Sequence, residues 1–167
     1  THSTSSAASD VYKRQIEFRS MAKFVEGGAN ERALTQVKAV DNKYPLIGNV
    51  QLASGKSFKD VFRQPKSAVM ESDLASRLGI DIGETFSLGL TKFVLRDIIQ
   101  SSPDDAGTNF GFGPRTIVKS EDLLDSGLIA PGTLFTAKYR LLIEPFENLD
   151  KLRALAKIKF ENNGMLS

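Results

Sequence analysis

The sequence contains no cysteine, which excludes disulfide bonds, thiolate catalysis and cysteine-ligated metal sites. It contains one histidine, His2, which is the second residue of the chain. A Ser–His–Asp triad needs histidine as its base, and the common zinc sites need several histidines or cysteines. We therefore expect no hydrolase triad, no metal centre and no cofactor in this protein.

Long apolar runs and a strong excess of one charge are also missing. No stretch approaches the ~20 apolar residues that cross a bilayer, and the first residues do not have the layout of a signal peptide. The 22 lysines and arginines are nearly balanced by 20 acids, which gives a formal net charge of +2 at pH 7. Because the basic residues are interspersed with acids, a nucleic-acid-binding track is not expected.

What is present is ordinary globular composition, with 41% hydrophobic and 25% charged residues in a chain of 167. A chain of this length buries about 68–70% of its unfolded surface when it folds. The sequence is therefore long enough for one domain or two small subdomains, with a core that needs no covalent cross-link.

The most informative stretch covers residues 68–99, which read as a strand, a short helix, a turn and two further strands. Ser72 is predicted to cap the helix, and Gly79 to end it, because glycine accepts a positive φ without steric cost. Leu74 and Leu78 share one helical face. After the turn, apolar residues recur at every second position, which indicates strands.

The rest of the chain shows mostly strand patterns. We predict a hairpin with strands at 15–24 and 32–40 around a glycine turn at 27–30, then strands at 48–52, 91–100, 115–119 and 133–143. A short helix is capped by Ser120 and buries Leu123 and Leu124, and a final helix is capped by Asn148; residues 58–62 have no clear type. This order predicts an α+β fold with a mixed or antiparallel sheet, short helices and two subdomains.

The predicted division follows from this order of elements. Residues 1–14 are expected to be a disordered or non-native tail. Residues 15–45 and 144–167 would form one discontinuous α/β subdomain. Residues 46–143 would form an inserted β-rich subdomain.

The candidate site lies in and after a glycine-rich loop at 101–113, since long loops in compact domains are often functional. Phe110 and Phe112 are either packed in the core or held out for a partner or lipid. Arg115 is expected to pair with Glu121 or Asp122, with a substrate contact as the alternative. Two neighbouring acids, Asp104 and Asp105, are interpreted as solvated loop residues.

Several basic residues are predicted to lie scattered over a solvated surface, with contact to anionic lipid head groups as the alternative. They are Arg14, Lys23, Lys56, Lys59, Arg63 and Lys66.

The central stretch resembles the extracytoplasmic domain of FtsX-like ABC transporter permeases, the group that includes MacB-type permeases. In that family a short helix ending in LA-x-x-LG precedes a hydrophobic-x-x-GD-x-hydrophobic-x-LG pattern and a long strand. The matching residues are Leu74, Ala75, Leu78, Gly79, Ile80, Ile82, Gly83, Glu84, Phe86, Leu88 and Gly89. Glu84 stands where aspartate is commoner. Residues 37–45 and 113–132 resemble the branch associated with lysophospholipase biosynthesis, and the whole resemblance covers about residues 16–167.

The resemblance implies a non-catalytic domain on the periplasmic side of the bacterial inner membrane, with the subdomain of residues 15–45 and 144–167 near the membrane. Its partners would be transmembrane helices of the same permease, a separate cytoplasmic ATPase, and a lipid, lipoprotein or periplasmic protein, but no nucleic acid. The domain would couple ATP-driven movement of the helices to handling of that substrate. The alternatives are a domain that recruits an extracytoplasmic enzyme such as a lipid esterase, or a hydrolase itself. The absence of histidine from the part of the sequence expected to fold argues against a hydrolase.

Overall fold

The fold is given by a computed structural model that describes residues 12–26, 29–45, 48–102, 113–124, 126–128 and 136–141. Its strands are β1 (Tyr12–Glu26), β2 (Ala29–Val40), β3 (Gln51–Leu52), β4 (Ser67–Glu71), β5 (Thr85–Leu88), β6 (Thr91–Ser101), β7 (Arg115–Lys119) and β8 (Thr136–Leu141). Its helices are α1 (Phe58–Val61), α2 (Ser72–Leu78) and a single 3-10 turn at Ser120–Leu123. The predicted α+β class, with a mixed sheet and short helices, is confirmed.

The hydrogen-bonded strands of the sheet close on themselves. The order β2-β7-β4-β6-β5-β1 returns to its start because β1 also pairs with β2 along nearly its whole length. The β2–β7 and β4–β6 pairs are parallel, and the other pairs of this circle are antiparallel. β3 adds to β6, and β8 lies beside β1. Closure of this kind pairs strands that would otherwise present free edges to other chains.

The β1–β2 hairpin has the alternation that its sequence predicts. Its register runs from Gln15 opposite Val40 to Glu26 opposite Ala29, so a two-residue connection joins the strands. Positions 16, 18, 22 and 24 of β1 and positions 33, 35, 37 and 39 of β2 are buried, whereas most of the intervening side chains are exposed. The predicted strands are confirmed, and both extend further than predicted.

Two apolar clusters pack on opposite faces of the central strand β4. The larger cluster takes Ala68 and Met70 from β4 together with the buried face of α2. The smaller cluster takes Val69 from β4 together with the aromatic face of α1. Because helices cover both of its faces, β4 is buried along four consecutive residues. Full burial of a large apolar side chain contributes about 1.5–3 kcal/mol, so the two clusters supply most of the driving force for folding.

The helices begin one residue away from where capping patterns predict. Ser72 and Ser120 are the first residues of their helices, and the N-cap positions are Glu71 and Lys119, which make no side-chain capping bond. Each of these N-caps ends a strand, and its extended backbone already has the φ and ψ that an N-cap needs. The strand therefore supplies the cap conformation. Ser57, by contrast, accepts from the backbone N–H of Asp60 at 3.2 Å and caps α1.

Other local predictions fare differently. Gly79 ends α2 in the left-handed conformation, with φ of 64°, as predicted. Leu124 is 77% exposed, so the prediction that it is buried beside Leu123 is wrong. A single 3-10 turn has only one side to bury, and Leu123 occupies it. The predicted strand at 48–52 is reduced to the two residues of β3, and the segment of unclear type is helical.

The chain divides into a compact unit of residues 13–140 and a second unit of residues 1–12 with 141–167. We expected the first hairpin to belong with the C-terminal residues instead. The hairpin joins the larger unit because β2 pairs with β7 and β1 pairs with β5. β1 begins at Tyr12, inside the segment predicted to be a tail. Residues 1–11 and the predicted final helix lie outside the described residues.

Gly89 holds the β5–β6 turn against the segment that follows the 3-10 turn. Its φ is 57°, and a Cβ added there would lie 2.6 Å from the carbonyl oxygen of Ser126 and 2.7 Å from Cγ of Leu128. The neighbouring N–H of Leu90 donates to the same Ser126 oxygen at 3.0 Å. The turn therefore needs glycine both for its backbone conformation and for the close approach.

We predict that Gly89→Ala destabilises the fold by about 2–5 kcal/mol, from left-handed strain of about 1–2 kcal/mol plus overpacking of about 1–3 kcal/mol. The matched control is Gly79→Ala, which has nearly the same φ but no atom within 4 Å of the added Cβ. It should lose only the strain, about 1–2 kcal/mol. Urea unfolding of both variants measures the difference, and equal losses would contradict this account of the turn.

Candidate functional site

A buried carboxylate is a candidate for acid–base chemistry, and Asp97 is the most buried carboxylate of the described residues. It is fully inaccessible, and its Oδ1 accepts from the backbone N–H of Ser54 at 3.2 Å and from that of Ile98 at 2.8 Å. The Ser54 hydroxyl also donates to its Oδ2. These bonds fasten the turn between β3 and α1 onto β6. Asp97 thus stabilises the turn between β3 and α1, and both of its carboxylate oxygens accept hydrogen bonds from the fold itself.

Asp122 has a similar role at the other side of the sheet. It is 7% exposed, and its Oδ2 accepts from the backbone N–H of Lys66 at 3.0 Å. Lys66 has a positive φ of 56°, and its Nζ donates to the backbone oxygen of Asp122 at 2.8 Å. The pair therefore holds the strained turn that enters β4. In the described ranges, no three histidine, cysteine, aspartate or glutamate side chains come together as a metal site.

Arg115, the described member of the predicted site, pairs with Glu71. Its Nη2 and Nε each lie 2.7 Å from Oε1 of Glu71, and its backbone N–H donates to Oε2 at 3.2 Å. The expected partners are engaged elsewhere, because Asp122 accepts from Lys66 and Glu121 pairs with Lys119 at 3.2 Å. β4 and β7 are antiparallel neighbours, so the end of one strand meets the start of the other. We expected Arg115 to pair with an acid close to it in the sequence, whereas its actual partner, Glu71, is 44 residues away.

The residues that flank the predicted loop are fixed to the core. At its start, the Ser102 hydroxyl lies 3.2 Å from the hydroxyl of Tyr44. At its end, the Pro114 carbonyl accepts from the Thr35 hydroxyl at 2.9 Å and from the backbone N–H of Gln36 at 3.0 Å. Phe110 and Phe112 lie outside the described residues.

Two surface grooves flank Phe58 and Lys59 of α1. The larger has a volume of about 700 Å³, and the described residues that line it include two lysines but no acid. The smaller, of about 210 Å³, lies against the ring of Tyr44. The aromatic rings beneath them pack closely, with centroids of Phe58 and Phe62 4.4 Å apart. Lys56 and Lys59, which were expected to be scattered, are thus neighbours on one groove.

A row of cations crosses four strands on the outer face of the sheet. Arg32 of β2 is directly opposite Lys23 of β1, Lys23 is opposite Ser87 of β5, and Ser87 is opposite Lys92 of β6. Residues directly opposite one another point to the same face of a sheet. We call Arg32, Lys23 and Lys92 the cation row. Three strand spacings separate its ends, which makes the row about 14–15 Å long.

The cation row was missed because only part of it is visible in the sequence. A two-residue turn at 27–28 places Lys23 opposite Arg32, and this symmetry about the glycine pair was available as a signal. The contribution of β6 depends on how β5 meets β1, which no local pattern reveals. Lys23 was therefore interpreted as one of several scattered basic residues.

Comparison with known proteins gives the family. The profile of the MacB-like periplasmic core domain matches residues 2–154. We expected the resemblance to begin near residue 16 and residues 1–14 to match nothing in the family; the match instead includes most of that segment. In the described part of the chain, no helix combines the length and apolar character that crossing a bilayer requires.

Individual relatives agree with this match. The chain is 30% identical over 108 residues to the uncharacterized ABC transporter permease YbbP of Escherichia coli (strain K12). The aligned region covers 64% of this chain but 13% of that protein. The chain therefore spans about an eighth of the length of this relative.

Two crystal structures share the fold. The extracellular domain of the ABC-type transporter YknZ from Gram-positive bacteria has a TM-score of 0.59 at 12% identity, covering 95% of this chain and 79% of that one. The periplasmic region of MacB from Actinobacillus actinomycetemcomitans has a TM-score of 0.59 at 11% identity, covering 95% and 70%. With the family match over most of its length, the chain belongs to the MacB-like periplasmic core domain family, as a periplasmic domain of an ABC transporter permease.

Proposed function

We propose that this domain is a non-catalytic relay. It would couple ATP-driven movement of the permease's transmembrane helices to handling of a lipid, lipoprotein or other hydrophobic substrate in the periplasm. The observation that supports this most directly is the closed circle of six strands, because a relay must move as one body. Rigid rotation or translation of a domain is a common way for transporters and switches to transmit a local change.

The closed circle resists internal deformation for two reasons. Opening it at one pair leaves strands with unpaired backbone groups, which are costly when water cannot reach them. The long-range bonds of Asp97 and Asp122 also tie the connections to the strands they precede or follow. Movement applied at the ends of the unit would therefore displace the whole body and not a single strand.

The buried acids Asp97 and Asp122 and the half-buried Glu71 support the non-catalytic part of the proposal. A general acid or base must present its oxygen to a substrate within hydrogen-bond reach. Asp97, Asp122 and Glu71 instead direct their oxygens to backbone N–H groups, a hydroxyl and an arginine of the fold itself. Substrate contact by Arg115 is less favoured for the same reason, since Glu71 occupies its guanidinium.

A spin-label measurement on the full permease with its ATPase tests the relay. The chain has no cysteine of its own, so Lys59→Cys and Arg77→Cys place labels on exposed positions of α1 and α2. On ATP binding, we predict that the distance between these two labels changes by less than about 1 Å. The distance from Arg77→Cys to a label on a membrane helix of the permease should change by about 5 Å, the scale of a one-turn displacement of one element past another. A change of similar size within the domain would contradict a rigid relay.

A second candidate function is recruitment of an extracytoplasmic enzyme such as a lipid esterase. It is favoured by two aromatics, Phe110 and Phe112, in a glycine-rich segment whose flanking residues are fixed to the core. Phe110→Ser/Phe112→Ser should weaken binding of a purified lysophospholipase by tenfold or more, because aromatic anchors dominate interface energies at about 2 kcal/mol or more each. Asp104→Asn/Asp105→Asn, in the same segment, is the control and should bind normally. Unchanged affinity of the phenylalanine variant would exclude this surface.

A further inference from the structure

The cation row is an unfavourable arrangement that the fold maintains. Like charges directly opposite each other on neighbouring strands are destabilising, and Lys23 faces Arg32 in this way. Within the described part of the chain, no carboxylate forms an ion pair with Lys23, Arg32 or Lys92. A matching negative charge from outside the fold would relieve this repulsion.

The same hairpin places opposite charges together elsewhere. Glu17 of β1 is directly opposite Lys38 of β2, six residues along the strand from Lys23 on the same face. Between the two lies Arg19 opposite Gln36. The only acid among the described side chains near the turn is Glu31, whose position alternates to the other face from Arg32. Among the described side chains, the outer face at the turn end of the hairpin therefore carries positive charge without an acid.

Exposed apolar side chains border the row on both sides. Met21 and Leu34 are directly opposite each other and are 41% and 47% exposed. Val25, on the other side of Lys23, is 68% exposed. Interfaces between proteins combine an apolar centre with charged residues that orient the partner. The charged and the apolar side chains are held close together on this face, since cross-strand neighbours lie only about 4.5–5.5 Å apart.

We propose that the outer face of the β1–β2 hairpin docks a partner protein through a segment that alternates acidic and apolar side chains. The acids would contact the cation row, and the apolar residues would pack on Met21, Leu34 and Val25. An anionic membrane surface is less suitable, because it attracts basic residues wherever they lie and does not require apolar pairs in register with them.

This inference deepens the proposed function, and it rests on it for the periplasmic setting of the partner. The binding measurement below needs neither the permease nor ATP. Its failure would leave the relay intact, and failure of the relay would leave the docking face intact.

The test uses the 167-residue chain and a defined probe, a fluorescent peptide of four glutamates alternating with leucine. We expect anisotropy titrations at low salt to show saturable binding that weakens at least tenfold in 0.5 M salt, since exposed charges are screened there. Lys23→Glu and Lys92→Glu should each weaken binding about tenfold. Met21→Thr/Leu34→Thr should weaken it without altering the salt dependence.

Two controls separate docking from other causes. Lys56→Glu and Lys59→Glu, the α1 variants, make the same charge change at exposed positions just before and within α1 and should bind the peptide normally. Lys23→Glu should keep a urea midpoint at or above that of the parent chain, because it replaces a like-charge pair by an opposite pair. Equal loss of binding in the α1 variants, or absence of peptide binding, would overturn the proposal. So would row-dependent binding to phosphatidylglycerol vesicles without binding to the peptide.

Discussion

The structure depends on the contact between β1 and β5, because this contact closes the circle of strands. In the described residues it consists of Ala22 opposite Leu88 and Lys23 opposite Ser87. Ala22 and Leu88 are both fully buried, and the small side chain of Ala22 lets the strands approach over a filled core. Gly89 directly follows β5 in the sequence, and its turn holds the end of β5 against the backbone of Ser126. Side-chain packing therefore supports the β1–β5 ladder, which has few hydrogen bonds.

Buried and exposed side chains of the described residues have different roles. The buried Asp97 and Asp122 and the half-buried Glu71 stabilise turns and strand ends. On the exposed face of the hairpin, the register of four strands places cations and partly exposed apolar residues side by side. The proposed relay would need both a body that does not deform and a surface that engages a partner.

Local patterns predicted much of this fold and little of its surface. Period-two alternation and a glycine pair identified the hairpin, and the Leu74–Leu78 spacing with Gly79 identified α2, because these signals lie within a few residues. The pairing of Arg115 with Glu71 and the cation row depend on contacts between distant strands, which no local pattern specifies. The capping error at Ser72 and Ser120 has another cause, since each strand leads directly into its helix, so that the last strand residue takes the N-cap position and the serine becomes the first helical residue. We expected the hairpin to belong to a different subdomain from residues 46–143. The structure differs because the positions of strands in the sequence do not reveal which strands pair.

Native-state hydrogen exchange tests the central claim of one closed body most directly. Amides in β1 and β2, such as those of Phe18 and Val37, should report the same free energy of opening as those of Met70 in β4 and Leu95 in β6, within about 1 kcal/mol. Cooperative units exchange together through their shared unfolding. If the hairpin amides instead exchanged through a separate opening several kcal/mol lower in free energy, the circle would not act as a unit, and the relay that depends on it would be contradicted.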